Sequence, residues 1–532
     1  PKSGFHFSGS CYSQGMSFLR SVATVGGYTL ASRILGFVRD LLIAASLGAG
    51  PVADAFFVAL QAPNLFRRLF AEGAFSAAFV PLFSAELART GRNPAILFAE
   101  QALSVLLASL FILVCLVEIA MPLAMLIFAP GFRDEPQTFH LAVLFTRLTF
   151  PYLLFVSLVS LMGGVLNSFG RFAAAAATPI LFNLVLIAAL VVVAPYTPNP
   201  GYALAGGVTI AGLAQFLWLL ASCRRTGVSF RLRRPKLTPA VGKLLRLMLP
   251  AAIGAGAAQV NQVISTAMAS LLVPGSISYL FYADRITQLP LGVIGVALGT
   301  ALLPLLSRQI AAGEGEAAAD SQNRSLELGM LLILPAAAAL LAVPDSLVAV
   351  LFQRGAFGAF QTVATAHALM AYAVGLPAFV LIKVLVPGFY ARHDTATPVR
   401  IALISIAANI GLNIALMRPL GHTGLALAVS LAAWLQTGLL GFVLLRRGHW
   451  RPDRPLVRRL VRTLGCALAM VAVLLGLAHL LQGDLTAHGP WRYGAMGLMI
   501  AVGGGVFMGL AQWSGAARLQ EITTQLRRRP AG

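Results

Sequence analysis

The sequence contains few charged residues and few acids. Only 11% of its 532 residues are charged, and Asp and Glu together number 18, whereas soluble domains carry about 25% charged residues. The four cysteines are scattered without CxxC or His-linked spacing, so no disulfide framework or metal site is predicted. The sequence has no HExxH motif and no glycine-rich phosphate loop with a lysine, which argues against a zinc protease and against ATP-driven transport within this chain.

Apolar residues dominate the sequence instead. They make up 58% of the chain and give a mean hydropathy of +0.82. A bilayer-spanning helix needs roughly 20 apolar residues, and by that rule we count about fourteen runs. We therefore predict an all-α, polytopic integral membrane protein of about 14 transmembrane helices. Residues 1–15 are polar and show no cleavable signal, so they are predicted to be an N-terminal extension or a cloning remnant, with Met16 as the natural start.

The net charge of +21 predicts membrane orientation better than a nucleic-acid partner. Basic residues gather after the sixth, twelfth and last predicted spans, and the positive-inside rule places such loops in the cytoplasm. Both termini are then cytoplasmic, and some attraction to anionic membrane lipids is expected. The exceptions on the outer side are Arg133, Arg354 and Arg418. The first basic loop contains Arg224, Arg225, Arg231, Arg233, Arg234, Lys236 and Lys243.

Local motifs recur at nearly one spacing. PLFS at Pro81 returns as PLLS at Pro304, and GYALA at Gly201 returns as GLALA at Gly424, so both offsets, 304 − 81 and 424 − 201, equal 223. The repeat predicts two parallel six-helix lobes and two C-terminal helices, a common transporter plan. The predicted boundaries are an N-terminal extension at 1–15, an N-lobe at 16–225, a basic linker at 226–243, a C-lobe at 244–447, and a basic loop, two helices and a tail at 448–532.

Charged residues cluster in the otherwise apolar region 33–72. A charge at bilayer depth is costly, so it usually faces a polar cavity and acts on something that passes through it. If the first helix starts near Arg20, Arg33 lies about 20 Å along it. The members of the cluster are Arg33, Arg39, Asp40, Asp54, Arg67, Arg68 and Glu72.

The first span offers one acid for two arginines. Arg33 and Asp40 are seven residues apart and share a helix face, and Gly36 thins that face for an approaching group. The surplus positive charge favours an anionic ligand, with Arg33 and Arg39 as ligand residues and Asp40 as their organiser. The alternative is an internal ion pair that holds the first helix to a neighbour.

The second span adds further candidates. Asp54 follows Pro51 and fits either a helix N-terminal role or a role in the cavity. Pro63 is expected to kink or break the span. Arg68 and Glu72 are spaced to pair on the helix surface, which leaves Arg67 as the better ligand candidate.

The second half contributes Asp284 and Arg285, about 13 Å into its second span. Asp284 is predicted to organise the cavity or its gating, together with Asp54, Arg68 and Glu72. Arginine binds phosphate through two parallel hydrogen bonds and stays charged at physiological pH. Arg285 with the first-half arginines would therefore suit a pyrophosphate shared between two lobes.

Several long stretches resemble the MurJ/MviN family of lipid II flippases. They are SRILGFVRD from Ser32, PNLFRR from Pro63, EGAFSAAFVPLFS from Glu72, YADRITQLPLGVIGVALGT from Tyr282 and PGFYARHDTATPV from Pro387. The resemblance implies two six-helix lobes around a cationic cavity, and lipid II moved from the inner to the outer leaflet of the bacterial cytoplasmic membrane. It implies importance for the matching positions Arg33, Arg39, Asp40, Asp54, Arg67, Glu72 and Arg285.

The sequence offers alternatives for the coupling ion and for the function. Some relatives look as though they hold a sodium ion between the seventh and eleventh helices through an acidic residue, but the seventh span here has Gln259, Asn261 and Gln262 and no acid, so sodium coupling by that route is not predicted. The eleventh span retains Asn409 and Asn413, which are expected to pack helices. No cofactor is predicted, and the driving force is expected to be membrane potential or a coupling ion. Alternatives are transport of another polyprenyl-linked glycan or of a cationic drug, a membrane-embedded glycosyltransferase, and a non-transporting scaffold that would bind cell-wall synthesis proteins.

Overall fold

The computed structural model describes residues 10–68, 75–486 and 489–517. The side chains of residues 10–23, 251–258, 293, 295–297, 300 and 486 are outside that description. Throughout the described ranges the regular structure is helical and no strand is present. The chain divides into two compact units, Pro1–Pro274 and Gly275–Gly532.

The first unit contains eleven α-helices in its described residues. They are α1 (Ser10–Leu47), α2 (Pro51–Phe66), α3 (Ser76–Thr90), α4 (Arg92–Ile119), α5 (Met121–Phe128), α6 (Pro136–Thr149), α7 (Tyr152–Ser168), α8 (Phe172–Ala176), α9 (Thr178–Ala188), α10 (Pro200–Arg225) and α11 (Pro239–Ser270). A short 3-10 helix, Pro130–Asp134, precedes α6, and a π-helical turn, Ala189–Val193, extends α9.

The second unit contains eight α-helices in its described residues. They are α12 (Ser276–Ala311), α13 (Gly315–Ala342), α14 (Pro344–Phe352), α15 (Ala359–Tyr390), α16 (Ala396–Arg446), α17 (Arg454–Leu480), α18 (Gln482–Thr486) and α19 (Trp491–Trp513). Within this unit α15 packs against α12, α13 and α16, and α17 packs against α13 and α19.

The helices have the length and composition of membrane spans. Nine helical segments among the described residues are long and apolar enough to cross a bilayer. One of them, α16, has 51 residues and a break at Gly421, where φ is +57°. At 1.5 Å per residue it would be about 76 Å long, enough for two crossings of a core about 30 Å thick. The prediction of an all-α polytopic membrane protein is confirmed.

Helix α11, which contains the seventh predicted span, packs within the first unit. It contacts α2, α3, α4, α5 and the 3-10 helix before α6. At its C-terminal end the backbone N–H of Gly131 donates to Ser270 Oγ (3.1 Å). A Cβ at Gly131 would lie 2.0 Å from the Ser270 carbonyl oxygen, so only glycine permits this approach. The repeat places α11 in the second lobe, while its contacts place it in the first unit, and the predicted domain boundaries stay predictions.

The chain between α10 and α11 is held in place against α4. We call residues 228–238 the strap; they are non-helical. The Glu100 carboxylate, 4% exposed, accepts from the backbone N–H of Arg231 (2.9 Å) and from Arg233 Nε (2.5 Å). The backbone N–H of Arg233 donates to Ser104 Oγ (3.0 Å). Because Glu100 would be costly to bury without these partners, the strap and α4 stabilise each other.

A polar turn joins α15 to α16 in the second unit. Asp394 Oδ1 accepts from the backbone N–H of Thr397 (2.9 Å), and its Oδ2 accepts from Arg447 (2.6 Å). Hydrogen bonds from Thr397, and then the one from Arg447, lower the pKa of Asp394 to about 2. The carboxylate therefore holds both ends of α16 in one polar cluster.

This turn predicts a small acid-dependent loss of stability. Because the folded-state pKa of Asp394 is below its ordinary value of 3.8, its contribution is fully present above that pH and is lost as the pH falls toward 2. The Arg447 side chain is 43% exposed, so the ion pair contributes only about 1 kcal/mol. We expect Asp394→Asn to lower the free energy of unfolding by that amount at pH 7. Below pH 4, the free energy of unfolding of this variant should fall less steeply with decreasing pH than that of the parent. Denaturant unfolding in detergent would measure this, and Asp134→Asn, at an exposed position, should keep the wild-type profile.

Candidate functional site

A buried ion pair lies where α1 meets α9. Arg39 donates to Asp40 Oδ1 from Nε (3.0 Å) and from one terminal nitrogen (2.7 Å). Its other terminal nitrogen donates to Asn183 Oδ1 (2.9 Å). The guanidinium carbon also lies 5.7 Å from the Phe182 ring centroid. The side chain of Asp40 is 4% exposed and that of Arg39 is 13% exposed, so both are fixed by helix packing.

Asn183 completes this network from α9. Its amide nitrogen donates to the Ser32 carbonyl oxygen (3.0 Å). A Cβ at Gly36 would lie 3.5 Å from the same nitrogen, an ordinary contact distance, so Asn183 packs directly against α1 at Gly36. Sequence reasoning did not identify Asn183. The available signal was a lone asparagine in the apolar helix TPILFNLVLIA, because polar side chains in membrane helices often bridge to neighbouring helices.

Arg33 lies on the same helix but in a different environment. Its side chain is exposed, and it makes no hydrogen bond or ion pair with any residue the structure describes. Asp40, seven residues later on α1, is buried, whereas Arg33 is exposed. The network of Arg39, Asp40 and Asn183 therefore leaves Arg33 available to a ligand.

Pro51 marks the start of the second span, whereas Pro63 lies inside its helix. Pro51 occupies the first turn of α2, whose N-cap is Gly50, and no side chain caps the helix end. Asp54 lies in this first turn, where a carboxylate is favoured by the helix dipole, and it is 3% exposed. The α-helix ends at Phe66, three residues after Pro63, and residues 67–68 are π-helical.

The two arginines after α2 have different surroundings. Arg67 is half-buried, and its Nε donates to Asn64 Oδ1 (3.1 Å). Arg68 is exposed and donates to Gln262 Oε1 on α11 (3.2 Å). Gln61 donates to the Gln262 carbonyl oxygen (3.1 Å), so Gln262 joins α2 to α11. The predicted pairing of Arg68 with Glu72 falls on a residue outside the described ranges.

The predicted residues of the second unit lie in α12. Asp284 accepts a hydrogen bond from the amide of Gln288, one turn later. The guanidinium carbon of Arg285, which is half-buried, lies 4.8 Å from the Phe281 ring centroid, a cation–π distance. Asp284 and Arg285 therefore each have a partner one turn away on α12.

The described residues contain no group of three or more His, Cys, Asp or Glu side chains that could hold a metal ion. On the eleventh span, Asn413 donates to Asn409 Oδ1 (3.3 Å), and both side chains are buried. Asn409 Nδ2 and Asn413 Oδ1 are buried without a hydrogen-bond partner among the described residues.

Nine apolar helical segments of membrane length among the described residues define the class of this chain, and α1, α2 and α12 contribute the arginines and acids described above. In the first unit, packing fixes Arg39 and Asp40, while Arg33 and Arg68 reach exposed space. Charges retained inside membrane helices mark substrate pathways in transporters and channels. The chain is a polytopic α-helical membrane protein.

The chain belongs to the MurJ family. The family model described as "Lipid II flippase MurJ" matches residues 43–491. The "Probable lipid II flippase MurJ" of Rhizobium meliloti is 44% identical over 520 residues, which are 96% of this chain and 97% of the relative. The "Lipid II flippase MurJ" of Burkholderia cenocepacia is 39% identical over 470 residues, 87% of this chain and 90% of the relative.

Solved structures agree with this assignment. "Lipid II flippase MurJ, inward closed conformation" superposes with a TM-score of 0.76 at 25% identity, covering 92% of this chain and 98% of that chain. The inward-facing structure of a multidrug resistance MATE family transporter of the MOP superfamily gives a TM-score of 0.63 at 16% identity, covering 78% of this chain and 94% of that chain. The second likeness concerns the fold alone.

Proposed function

We propose that this protein is a lipid II flippase. It would move the undecaprenyl-pyrophosphate-linked peptidoglycan precursor from the inner to the outer leaflet of the bacterial cytoplasmic membrane. The observation that carries the proposal is membership of the MurJ family over most of the chain, with relatives named for this activity. The exposed cation at Arg33, on a membrane-length helix, suits a pyrophosphate ligand.

The arginines would have distinct tasks in this reaction. Arg33 would contact the pyrophosphate directly, and Arg67 and Arg285 would add positive charge to the path. Arg39 would set the local charge while its contacts with Asp40 and Asn183 hold α1 to α9. The roles of Asp54, Arg68, Glu72 and Asp284 in organising or gating the cavity are part of the same proposal. The polyprenyl tail would stay in the lipid.

We further propose secondary-type transport by alternating access, without an enzymatic step. Moving one charge through a potential of 100 mV changes its free energy by about 2.3 kcal/mol, so the membrane potential acting on a cationic path, or on a coupling ion, can bias the transport cycle. Both termini would be cytoplasmic, because the basic loops after α10 and α16 favour that side. Cell-wall synthesis proteins would be the partners that supply and consume the lipid.

Depletion of the protein in its own bacterium tests the proposal. We expect lipid II to accumulate in the inner leaflet while its total synthesis continues, as measured by its accessibility to a hydrolase added at the outer face. A scaffold would instead lower the total amount of lipid II or leave its distribution unchanged. Accumulation of a different polyprenyl-linked glycan, with lipid II normally distributed, would support the alternative substrate.

A further inference from the structure

A cavity of about 480 Å³ lies at one end of the first unit, between the 3-10 helix before α6 and α6 itself. All of the ionisable side chains that line it are basic: Arg133, His140 and Arg147. Its walls are otherwise apolar, formed by Pro122, Pro136, Phe139 and Val143. No role in the proposed transport path involves these residues.

The three basic side chains have unused donors. Arg147 Nε donates to the Glu118 carbonyl oxygen (3.3 Å), which fixes that side chain at the C-terminal end of α4. Arg133 and His140 are exposed and make no hydrogen bond or ion pair within the described ranges. The N-terminus of α6, at Pro136, adds its partial positive charge to the same space.

Nearby acids do not line the cavity. Asp134 and Glu135 follow Arg133 in the chain, and Glu135 accepts a hydrogen bond from Thr138 Oγ1 (2.9 Å) at the start of α6. Glu118 lies beside Arg147, and one of its carboxylate oxygens is buried. The cavity surface itself therefore presents donors and positive charge, which is the chemistry that recognises an oxyanion.

The position of the cavity along α4 identifies the side of the membrane. The strap is bound at Glu100 and Arg147 is bound at Glu118, eighteen residues (118 − 100) further along α4. That separation is about 27 Å along a helix, close to the thickness of the hydrocarbon core. If the strap is cytoplasmic, the cavity lies at the outer interface, where the positive-inside bias disfavours arginine.

The surroundings of the cavity are those of a lipid-facing surface. Large aliphatic side chains near Glu118 and Pro122 in the chain, on α4 and α5, are exposed, namely Leu116 (60%), Ile119 (79%), Leu123 (65%) and Ile127 (64%). Such side chains are compatible with acyl or prenyl chains. A ligand with an anionic head and an apolar tail could therefore contact the arginines and these side chains together.

We propose that this cavity binds the phosphate group of a membrane lipid at the outer interface. Two arginines can donate parallel hydrogen bonds to phosphate oxygens, and His140 adds a third donor. A phospholipid headgroup and a polyprenyl pyrophosphate share this chemistry. The site is separate from the Arg33 region, and the proposal does not depend on the flippase activity.

Photo-crosslinking from the cavity wall tests the proposal. Phe139 would be replaced by p-benzoylphenylalanine, and the full-length protein would be placed in nanodiscs of a neutral galactolipid. These would be doped either with phosphatidylglycerol or with undecaprenyl pyrophosphate. We expect a phosphate-lipid adduct by mass spectrometry, and the arm with the higher yield identifies the lipid that the site prefers.

A matched pair of arginine variants makes the test specific. Arg133→Gln should lower the yield of the phosphate-lipid adduct about tenfold, as expected for loss of one charge-assisted hydrogen bond. Arg418→Gln removes an exposed arginine predicted on the same side and should leave the yield unchanged. Equal adduct yields for phosphate lipids and neutral galactolipid would overturn the proposal. So would an Arg133→Gln variant that crosslinks like the parent, or equal losses in the two variants.

Discussion

Replacing Arg33 by alanine is expected to abolish lipid II flipping while leaving the protein folded. Arg33 is exposed and makes no hydrogen bond or ion pair with the described residues that its removal would break. Two charge-assisted hydrogen bonds to a pyrophosphate contribute about 3 kcal/mol or more, which corresponds to at least a hundredfold lower rate. The accessibility of lipid II at the outer face over time would measure the rate of flipping. The thermal unfolding temperature would show whether the variant is folded like the parent.

Two further variants identify the cause of that loss. Arg33→Lys keeps the charge but loses the planar pair of donors, so we expect partial activity. Arg89→Ala removes an exposed arginine that pairs with Glu86 outside the proposed path and should be active. If Arg33→Ala flips lipid II at the normal rate, Arg33 does not bind the substrate.

Replacing Arg39 by alanine should have a different main effect, a loss of stability. The Asp40 side chain, only 4% exposed, would lose the guanidinium that neutralises it, and Asn183 would lose its donor. Removal of one partner from a buried ion pair costs about 3–5 kcal/mol. The free energy of unfolding, measured with denaturant in detergent, should decrease. The yield of folded protein in the membrane should decrease as well.

A double-mutant cycle separates this structural role from substrate binding. In Arg39→Ala with Asp40→Asn, the buried carboxylate is replaced by a neutral amide, so much of the lost stability should return. If Arg39→Ala proves as stable as the parent and inactive, the ion pair is not structural and Arg39 acts on the substrate. For comparison, the exposed Arg89 and Glu86 pair should contribute less than about 1 kcal/mol.

Local patterns in the sequence predicted much of the fold. Apolar runs predicted the membrane-length helices, because apolar length determines a span. Pro63 was expected to kink or break the second span. Instead it lies inside α2, three residues before the helix ends at Phe66. The charged residues of α1 were also recognised from sequence, because charges are rare in such runs.

The partners of those charged residues could not be predicted in the same way. Arg39 meets Asn183 across 144 positions of sequence, and Arg68 meets Gln262 across 194. No local periodicity specifies which helices touch or at which height. The sequence therefore identified which residues are unusual, whereas the structure shows that Arg39 is held by packing and Arg33 is not.

The strap shows the same limit. Its arginines were interpreted as an orientation signal with some attraction to anionic lipids, but Arg233 is also paired with Glu100 on α4. A single glutamate near the end of an apolar run carried little information by itself, since interfacial acids are common. Its burial became significant only when the structure placed the strap across it.

The attachment of the strap has a practical consequence for labelling this protein. A connection between two helical repeats is the usual choice for inserting a reporter domain or an epitope, because such segments tolerate insertions when their backbone is free. Here the amides of Arg231 and Arg233 are held by α4. An insertion between them would separate Glu100 from its donors, whereas the turn at residues 312–314, exposed and outside both the strap and the arginine network, offers a safer insertion point.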